Sequence, residues 1–213
     1  MQTEDLIASL SLNAPRVPRQ AARQRLALAL VVGGVVAFAA LLLTLGLRPD
    51  FVAASATVPF WVKWVFTLSI AYFALAILHR LGQPAIAVGW LWGGVAVPFV
   101  IVAMMSIGEL GAAPAEMRAG LALGHTAVTC PIAIVGFAAP AFAGLLWAFR
   151  RLAPTRPALT GAVAGLVAAA VGASVYAFAC PEESATFMIS WYTLGMGASA
   201  GIGAVAGRTL LRW

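Results

Sequence analysis

Residues Leu26–Leu47 read LALALVVGGVVAFAALLLTLGL and contain no charged side chain. About 20 apolar residues in an α-helix are enough to cross the roughly 30 Å hydrocarbon core of a bilayer. The stretch follows a polar leader and is too long for the apolar region of a signal peptide. We therefore interpret it as a permanent transmembrane helix.

The rest of the chain has the same apolar character. Of its 213 residues, 62% are hydrophobic and 9% are charged, and the mean hydropathy is +0.97. Soluble domains contain roughly 45–50% apolar and about 25% charged residues. A soluble enzyme, a disordered regulator and a disulfide-rich secreted domain are thus excluded as descriptions of the whole chain. The continuous apolar stretches also disfavour an outer-membrane barrel, in which apolar residues alternate.

Charged residues divide the chain into six stretches that can each cross a membrane. The expected spans are Leu26–Leu47, Val58–His79, Pro84–Gly108, one within Ala119–Phe149, Ala158–Ala179 and Phe187–Gly207. We expect no acidic residue inside a span, with Glu109 ending the third and Lys63 close to the outer end of the second. The sequence thus predicts an all-α bundle of six transmembrane helices (residues 26–213) behind a cytoplasmic leader (residues 1–25).

The distribution of lysine and arginine predicts the orientation of this bundle. With the N-terminus inside, the inner segments hold ten of these residues and the outer segments hold three, which are Arg48, Lys63 and Arg118. Because cytoplasmic loops are enriched in positive charge, both termini are expected on the cytoplasmic side of the membrane. The membrane is expected to be a bacterial inner membrane. The net charge of +6 is therefore interpreted as a topology signal, and no direct binding of nucleic acid is expected.

Motifs for catalysis are absent from the sequence. It contains no phosphate loop, no His-Glu-x-x-His pair and no dinucleotide fingerprint. Ion-coupled transporters usually carry an ionisable group at mid-membrane. Here His79 and His125 are the only candidates, and both fall near span ends. We expect that the protein is not an enzyme.

The two cysteines, Cys130 and Cys180, are each followed by proline. Each lies about twenty residues outward from inner charges, so at 1.5 Å per residue both thiols fall near the outer face. A pair at one depth could form a disulfide, or could bind a soft heavy-metal ion transiently with help from His125, Glu182 and Glu183. Alternatively, each cysteine is simply a small apolar residue in a helix.

The leader can form a short amphipathic helix. Thr3 can cap it, and Leu6, Ile7 and Leu10 then share one face, with Leu12 near the edge of that face. A helix of this length is marginal alone in water and would gain order by docking into a partner groove. The alternative is a helix that lies on the lipid of the inner leaflet.

Small residues recur every four positions in the last two expected spans. The two series are Gly161, Gly165, Ala169 and Ala173, and Gly195, Ser199, Gly203 and Gly207. Such stripes let two helix backbones approach closely. We expect the two helices to be antiparallel neighbours, because the connection between them is short.

Several segments resemble one family of bacterial membrane proteins. A cysteine opens the fourth span at Cys130, and the other matching segments are TEDLIASLS (3–11), RRLAP (150–154), YAFACPE (176–182), WYTLG (191–195) and GRTLLRW (207–213). Together they resemble the NrsF family of inner-membrane anti-sigma factors. The resemblance covers essentially the whole chain and is most specific from Cys130 to the C-terminus.

The resemblance implies a regulatory function. A member of this family holds an extracytoplasmic-function sigma factor inactive at the membrane and releases it under heavy-metal or oxidative stress. It also implies that Cys130 and Cys180 are the signal-sensing positions and that the leader binds the sigma factor. The leader has no histidine or cysteine, so no zinc site is expected there. Two other functions stay open, a small metal or solute permease and a structural membrane subunit.

Overall fold

The computed structural model describes residues 21–82, 89–150 and 154–211. Every regular element in these ranges is helical. In chain order the helices are α1 (Ala21–Thr44), α2 (Phe51–Ser55), α3 (Val58–Leu81), α4 (Gly89–Ala112), α5 (Ala115–Leu123), α6 (Thr129–Phe149), α7 (Pro157–Tyr176), α8 (Ala185–Phe187) and α9 (Thr193–Leu210). A π-helical segment, Met188–Tyr192, joins α8 to α9 without a break.

Five helices in the described ranges are long and apolar enough to cross a membrane. They are Arg23–Thr44 within α1, α3, α4, α6 and α7. The all-helical fold expected from the sequence is thereby confirmed, with shifted boundaries. The third expected span, Pro84–Gly108, is observed as Gly89–Ala112, and its first residues lie outside the described ranges. The fourth begins only at Thr129, because the separate helix α5 takes up residues 115–123.

The sixth expected span corresponds to the helical stretch from Ala185 to Leu210. At 1.5 Å per residue this stretch is about 39 Å long. It is not one of the five strongly apolar helices. Arg208 and the glycine, serine and threonine residues of α9 lower its mean hydropathy, since a charge is strongly polar and the others contribute little apolar side chain.

Helix α7 lies at the centre of the bundle and is buried on nearly every side. It packs against α9, α6, α3 and α1. On the α6 side, a Cβ on Gly172 would come within 2.8 Å of the Ile134 carbonyl oxygen. Helix α7 can occupy this crowded position because its interface is built from small side chains.

The two predicted stripes of small residues meet at Gly161 and Gly165 of α7 and at Ser199, Gly203 and Gly207 of α9. Gly195, the first residue of the second stripe, lies instead against Pro131 and Ile134 of α6. A Cβ on Gly161 would overlap the Gly203 carbonyl oxygen, and one on Gly165 would overlap the Ser199 carbonyl oxygen. A Cβ on Gly207 would likewise overlap the Pro157 carbonyl oxygen. The start of α7 therefore meets the end of α9, which confirms that the two helices are antiparallel neighbours.

Because the two backbones are in contact, one methyl group added at this interface is expected to have a large effect on stability. We expect Gly161→Ala to lower the free energy of unfolding by about 1–3 kcal/mol, because neither backbone can move aside without opening the interface. The matched control is Gly197→Ala in α9, where an added Cβ meets no atom within 4 Å. Thermal unfolding of the purified protein in lipid nanodiscs measures both. Equal melting temperatures for the two variants would contradict this account of the packing.

Candidate functional site

Cys130 is the second residue of α6, and its side chain is fully buried. A turn over residues 124–128 leads into the helix, and the Cys130 amide donates to the Thr126 carbonyl oxygen at 2.8 Å. Gly124 allows the chain to enter this turn with a φ of +54°, a region that favours glycine. The turn thus sets the depth of the Cys130 thiol at one end of the bundle.

Cys180 lies just beyond the C-terminal end of α7 and is also fully buried. Its amide donates to the Tyr176 carbonyl oxygen at 3.0 Å, which closes the last turn of α7. Helices α6 and α7 are sequential and antiparallel, so the start of α6 and the end of α7 share one end of the bundle. The structure places the two free cysteines within electrostatic range of each other there.

Two tyrosines lie close to the thiols, although no sequence pattern indicated a role for them at this site. The rings of Tyr176 and Tyr192 have centroids 6.2 Å apart, and both side chains interact electrostatically with Cys130 and Cys180. The Tyr192 hydroxyl is buried and, within the described part of the chain, has no hydrogen-bond partner of good geometry. The π-helical segment that ends at Tyr192 positions this side chain, and no sequence pattern indicated such a segment.

Arg48, Asp50 and Glu183 form an ion-pair cluster beside the turn that carries Cys180 (residues 177–180, the Cys180 turn). Arg48 donates to both carboxylate oxygens of Asp50 at 2.7 Å and reaches Glu183 at 3.4 Å. Its Nη1 lies 3.5 Å from the Cys180 carbonyl oxygen, and its amide donates to the Phe178 carbonyl oxygen at 3.2 Å. Arg48 follows α1, so the turn that carries Cys180 is attached directly to the first span.

Hydrogen bonding to Arg48 lowers the pKa of Asp50, and hydrogen bonding to Asp50 raises that of Arg48. Because the Asp50 carboxyl is more acidic in the folded protein, its contribution to stability is present above its unfolded pKa. That contribution is lost as pH falls through the folded pKa. Asp50 is exposed, so solvent screening keeps the effect small.

Lys63 is the second cation at Cys180. It lies in the second turn of α3, is only 3% exposed, and its Nζ donates to the Cys180 carbonyl oxygen at 3.3 Å. The sequence placed Lys63 close to a span end, where a lysine usually extends to water. In the structure the Lys63 side chain is instead buried against the Cys180 turn.

The proposed metal helpers have other partners in this structure. Glu182 accepts hydrogen bonds from the amides of His125 at 2.6 Å and Thr126 at 3.2 Å, and Glu183 faces Arg48. Among the described residues, no group of three or more histidine, cysteine, aspartate or glutamate side chains could hold a metal ion. A transient heavy-metal ion at the pair stays a prediction.

Glu109 corrects one expectation from the sequence. It lies inside α4, near its end, rather than after the span. Its carboxylate accepts from the Ser184 hydroxyl at 2.8 Å, and from the Thr186 amide and hydroxyl at 2.8 and 2.6 Å. These donors from the start of α8 replace water, which explains how an acid is accommodated in a span. Glu109 thereby ties α4 to the segment that follows Cys180.

The predicted partner-binding residues, Leu6, Ile7, Leu10 and Leu12, lie outside the described residues. Their roles stay predictions that rest on the sequence pattern.

Fold and site together define the class of protein: it is helical, with five helices in the described ranges suited to a membrane and two buried free cysteines at one end of its bundle. A family model described as "Negative regulator of sigma F", NrsF, matches residues 10–213. The chain therefore belongs to the NrsF family, as its sequence segments suggested. The family name denotes a regulator of a sigma factor, not a catalyst.

Two relatives are similar over their full lengths. The chain is 38% identical over 214 residues to a protein of Azospira oryzae named "Probable anti-sigma-F factor NrsF". It is 40% identical over 220 residues to the "Anti-sigma-F factor NrsF" of Caulobacter vibrioides. In both cases the match covers 100% of each chain. No solved structure matches the chain.

Proposed function

We propose that the protein is an inner-membrane anti-sigma factor that sequesters an extracytoplasmic-function sigma factor. It releases this partner when oxidative or heavy-metal stress reaches Cys130 and Cys180. The observation that carries the proposal is the match of residues 10–213 to the NrsF family, with two full-length relatives named anti-sigma-F factors. An anti-sigma factor acts by binding, in agreement with the absence of catalytic motifs from the sequence.

The proposed topology has six spans with both termini in the cytoplasm. The stretch from Ala185 to Leu210 supplies the sixth span, since its length of about 39 Å exceeds the hydrocarbon thickness of about 30 Å. Ser199, Gly203 and Gly207 are accommodated because they pack against α7 instead of lipid. In this topology the thiol pair lies at the periplasmic face, in an oxidising compartment, and the leader lies on the opposite side.

Reporter fusions test this topology. We expect a cytoplasmic signal after Ala14, Gln83, Thr155 and Trp213, and a periplasmic signal at Ala54, Ala113 and Glu183. The physical reason is the excess of positive residues in the segments assigned to the cytoplasm. Alkaline phosphatase and green fluorescent protein fusions report the two sides independently. An inverted signal at Glu183 or Trp213 would refute the sixth span.

The contacts of Arg48 support a route from the thiols to the leader. Arg48 holds the Cys180 turn through the Phe178 and Cys180 carbonyl oxygens, and it follows α1 by a few residues. Helix α1 begins at Ala21, within the leader (residues 1–25) that carries the proposed sigma-binding residues. A change in the Cys180 turn can therefore move α1 as a rigid element and loosen the bound sigma factor. The short α6–α7 connection near Arg150 offers a second route to the inner face.

Co-purification tests the partner. The full-length protein, extracted from its native membrane without reducing or oxidising agents, should carry a sigma factor in near-stoichiometric amount. Treatment with a thiol oxidant should release that sigma factor from the immobilised protein. A preparation that retains its native fold but never carries a sigma factor would refute the proposal.

The permease hypothesis requires a polar path across the bundle. A cavity of about 500 Å³ does lie between α3 and α4, but its lining is almost entirely apolar and includes Val65, Phe66 and Met105. No observation in the described ranges favours transport over regulation.

A further inference from the structure

A long apolar groove lies between α3 and α4 on the outer surface of the bundle. Its volume of about 500 Å³ falls in the usual range of ligand pockets, which is about 300–1,000 Å³. The lining extends along α3 from Val58 to Phe73, a distance of about 22 Å, and along α4 from Gly94 to Met105. One leaflet of a bilayer contributes about 15 Å of hydrocarbon, so the groove is long enough for an acyl chain.

The groove is accessible from lipid, and one end of it carries a tryptophan. Val65 and Ile101 in its lining are both more than half exposed. Trp61 also lines the groove, and its indole N–H donates to the Ser55 carbonyl oxygen at 2.9 Å. Tryptophan is enriched where the hydrocarbon of a membrane meets the headgroups. The end near Trp61 is therefore expected at the headgroup level, with the rest of the groove in the hydrocarbon.

A second cavity, of about 200 Å³, adjoins the groove at this end. The two cavities share three lining residues, Val58, Val62 and Met105. The charged residues that line the second cavity are Lys63, Glu109 and Glu183. The groove and the second cavity thus form one site, the amphipathic cleft, with a charged end and an apolar tail.

Lys63 is a buried cation at the charged end of the cleft. Its one hydrogen bond in the described ranges goes to the Cys180 carbonyl oxygen, at 3.3 Å, whereas an ammonium group has three N–H donors. Burying an ammonium group is costly unless an anion compensates it. No carboxylate in the described part of the chain lies within ion-pair distance of Nζ. The charge of Lys63 therefore suits an anionic group, such as a phosphate, in the cavity that it lines.

The two carboxylates make the same cavity unfavourable for a ligand that carries only negative charge. Glu183 shares the single cation Arg48 with Asp50. Glu109 accepts from neutral hydroxyl and amide donors, and in the described ranges no cation lies within ion-pair distance of it. A ligand that carries both a phosphate and a primary ammonium complements both signs, because its N–H groups can donate to carboxylates.

We propose that the amphipathic cleft binds one zwitterionic phospholipid whose headgroup ends in a primary ammonium, as in phosphatidylethanolamine. An acyl chain lies in the groove between α3 and α4, the phosphate faces Lys63, and the ammonium lies at Glu109 and Glu183. The inference goes beyond the proposed function and does not depend on a sigma factor. Because Glu183 follows Cys180 closely, the bound headgroup also supports the segment after the Cys180 turn.

Native mass spectrometry of the purified full-length protein, delipidated in detergent and titrated with palmitoyl-oleoyl-phosphatidylethanolamine, tests the groove. We expect one tightly held molecule per chain. Val97→Trp fills the groove and should weaken binding about tenfold, which corresponds to about 1.4 kcal/mol. The matched control is Val100→Trp, which should bind like the natural protein. Both valines lie on α4 and are more than half exposed, but only Val97 lines the groove. Equal binding by the two variants would overturn the proposal.

Headgroup selectivity tests the charged end of the cleft. The natural protein should bind phosphatidylethanolamine about tenfold more tightly than phosphatidylglycerol, which has no ammonium, or phosphatidylcholine, whose ammonium has no N–H. Lys63→Met should lose this tight binding, and Lys63→Arg should keep it. Equal binding of the three lipids would show only the lipid that surrounds any membrane protein, and tighter binding of phosphatidylglycerol would show a site for anions. Either result would overturn the proposal, and neither requires that Lys63→Met folds.

Discussion

Replacement of Leu6, Ile7 and Leu10 by serine should abolish repression while the protein still inserts into the membrane. Each leucine-sized side chain contributes about 1.5–3 kcal/mol when it is buried in a partner groove. Loss of three such contacts is expected to weaken binding by about three orders of magnitude or more, since about 1.4 kcal/mol corresponds to a factor of ten. A sigma-dependent reporter gene should then be active without stress.

The control for this experiment lies on the other face of the same helix. Asp5→Asn and Ala8→Ser change the polar face and should leave repression intact, because at 3.6 residues per turn these residues lie opposite the three apolar ones. Leu12→Ser, at the edge of the apolar face, should have an intermediate effect. Full repression by the triple variant, at normal abundance in the membrane, would show that the leader is not the main binding segment.

The second large effect is expected at the thiols. Cys130→Ser or Cys180→Ser should leave basal repression intact and abolish induction by diamide, dichromate or cadmium. The double variant should behave like either single one, because the two sulfurs act as a unit. Quantitative reporter assays across a range of oxidant concentrations measure the loss of response.

Alanine variants separate the chemistry of the thiols from their packing. Both cysteines are fully buried, so a serine hydroxyl there must find a hydrogen-bond partner or destabilise the site. Cys130→Ala and Cys180→Ala avoid that polar group and should lose induction to the same extent. Normal induction in both alanine variants would show that the cysteines are packing residues and that the sensor lies elsewhere.

Glu182 and Glu183 distinguish the two possible signals further. Their replacement by glutamine should weaken a cadmium response if they reach the metal, and should spare a diamide response. In the structure the Glu182 carboxylate accepts a hydrogen bond from the His125 amide, and the Glu183 carboxylate accepts one from Arg48. A parallel loss of both responses would therefore identify them as structural supports of the Cys180 turn.

Much of the fold followed from local properties of the sequence. Runs of apolar residues between charges predicted the membrane helices, because a charge in lipid is costly and the length of a span is set by the bilayer. The spacing of small residues predicted the α7–α9 contact, since residues four apart share one helix face. Counting residues along antiparallel helices likewise predicted that Cys130 and Cys180 lie at one end of the bundle.

The surroundings of the thiols were decided only by tertiary structure. Arg48, Lys63 and Tyr192 are remote from one another in the sequence, yet they meet around Cys180. No sequence periodicity predicts these contacts, because they depend on how the ends of three helices and a π-helical segment pack together. Glu109 shows the same limit, since the hydroxyl and amide donors that allow it inside a span come from a segment 75 or more residues away.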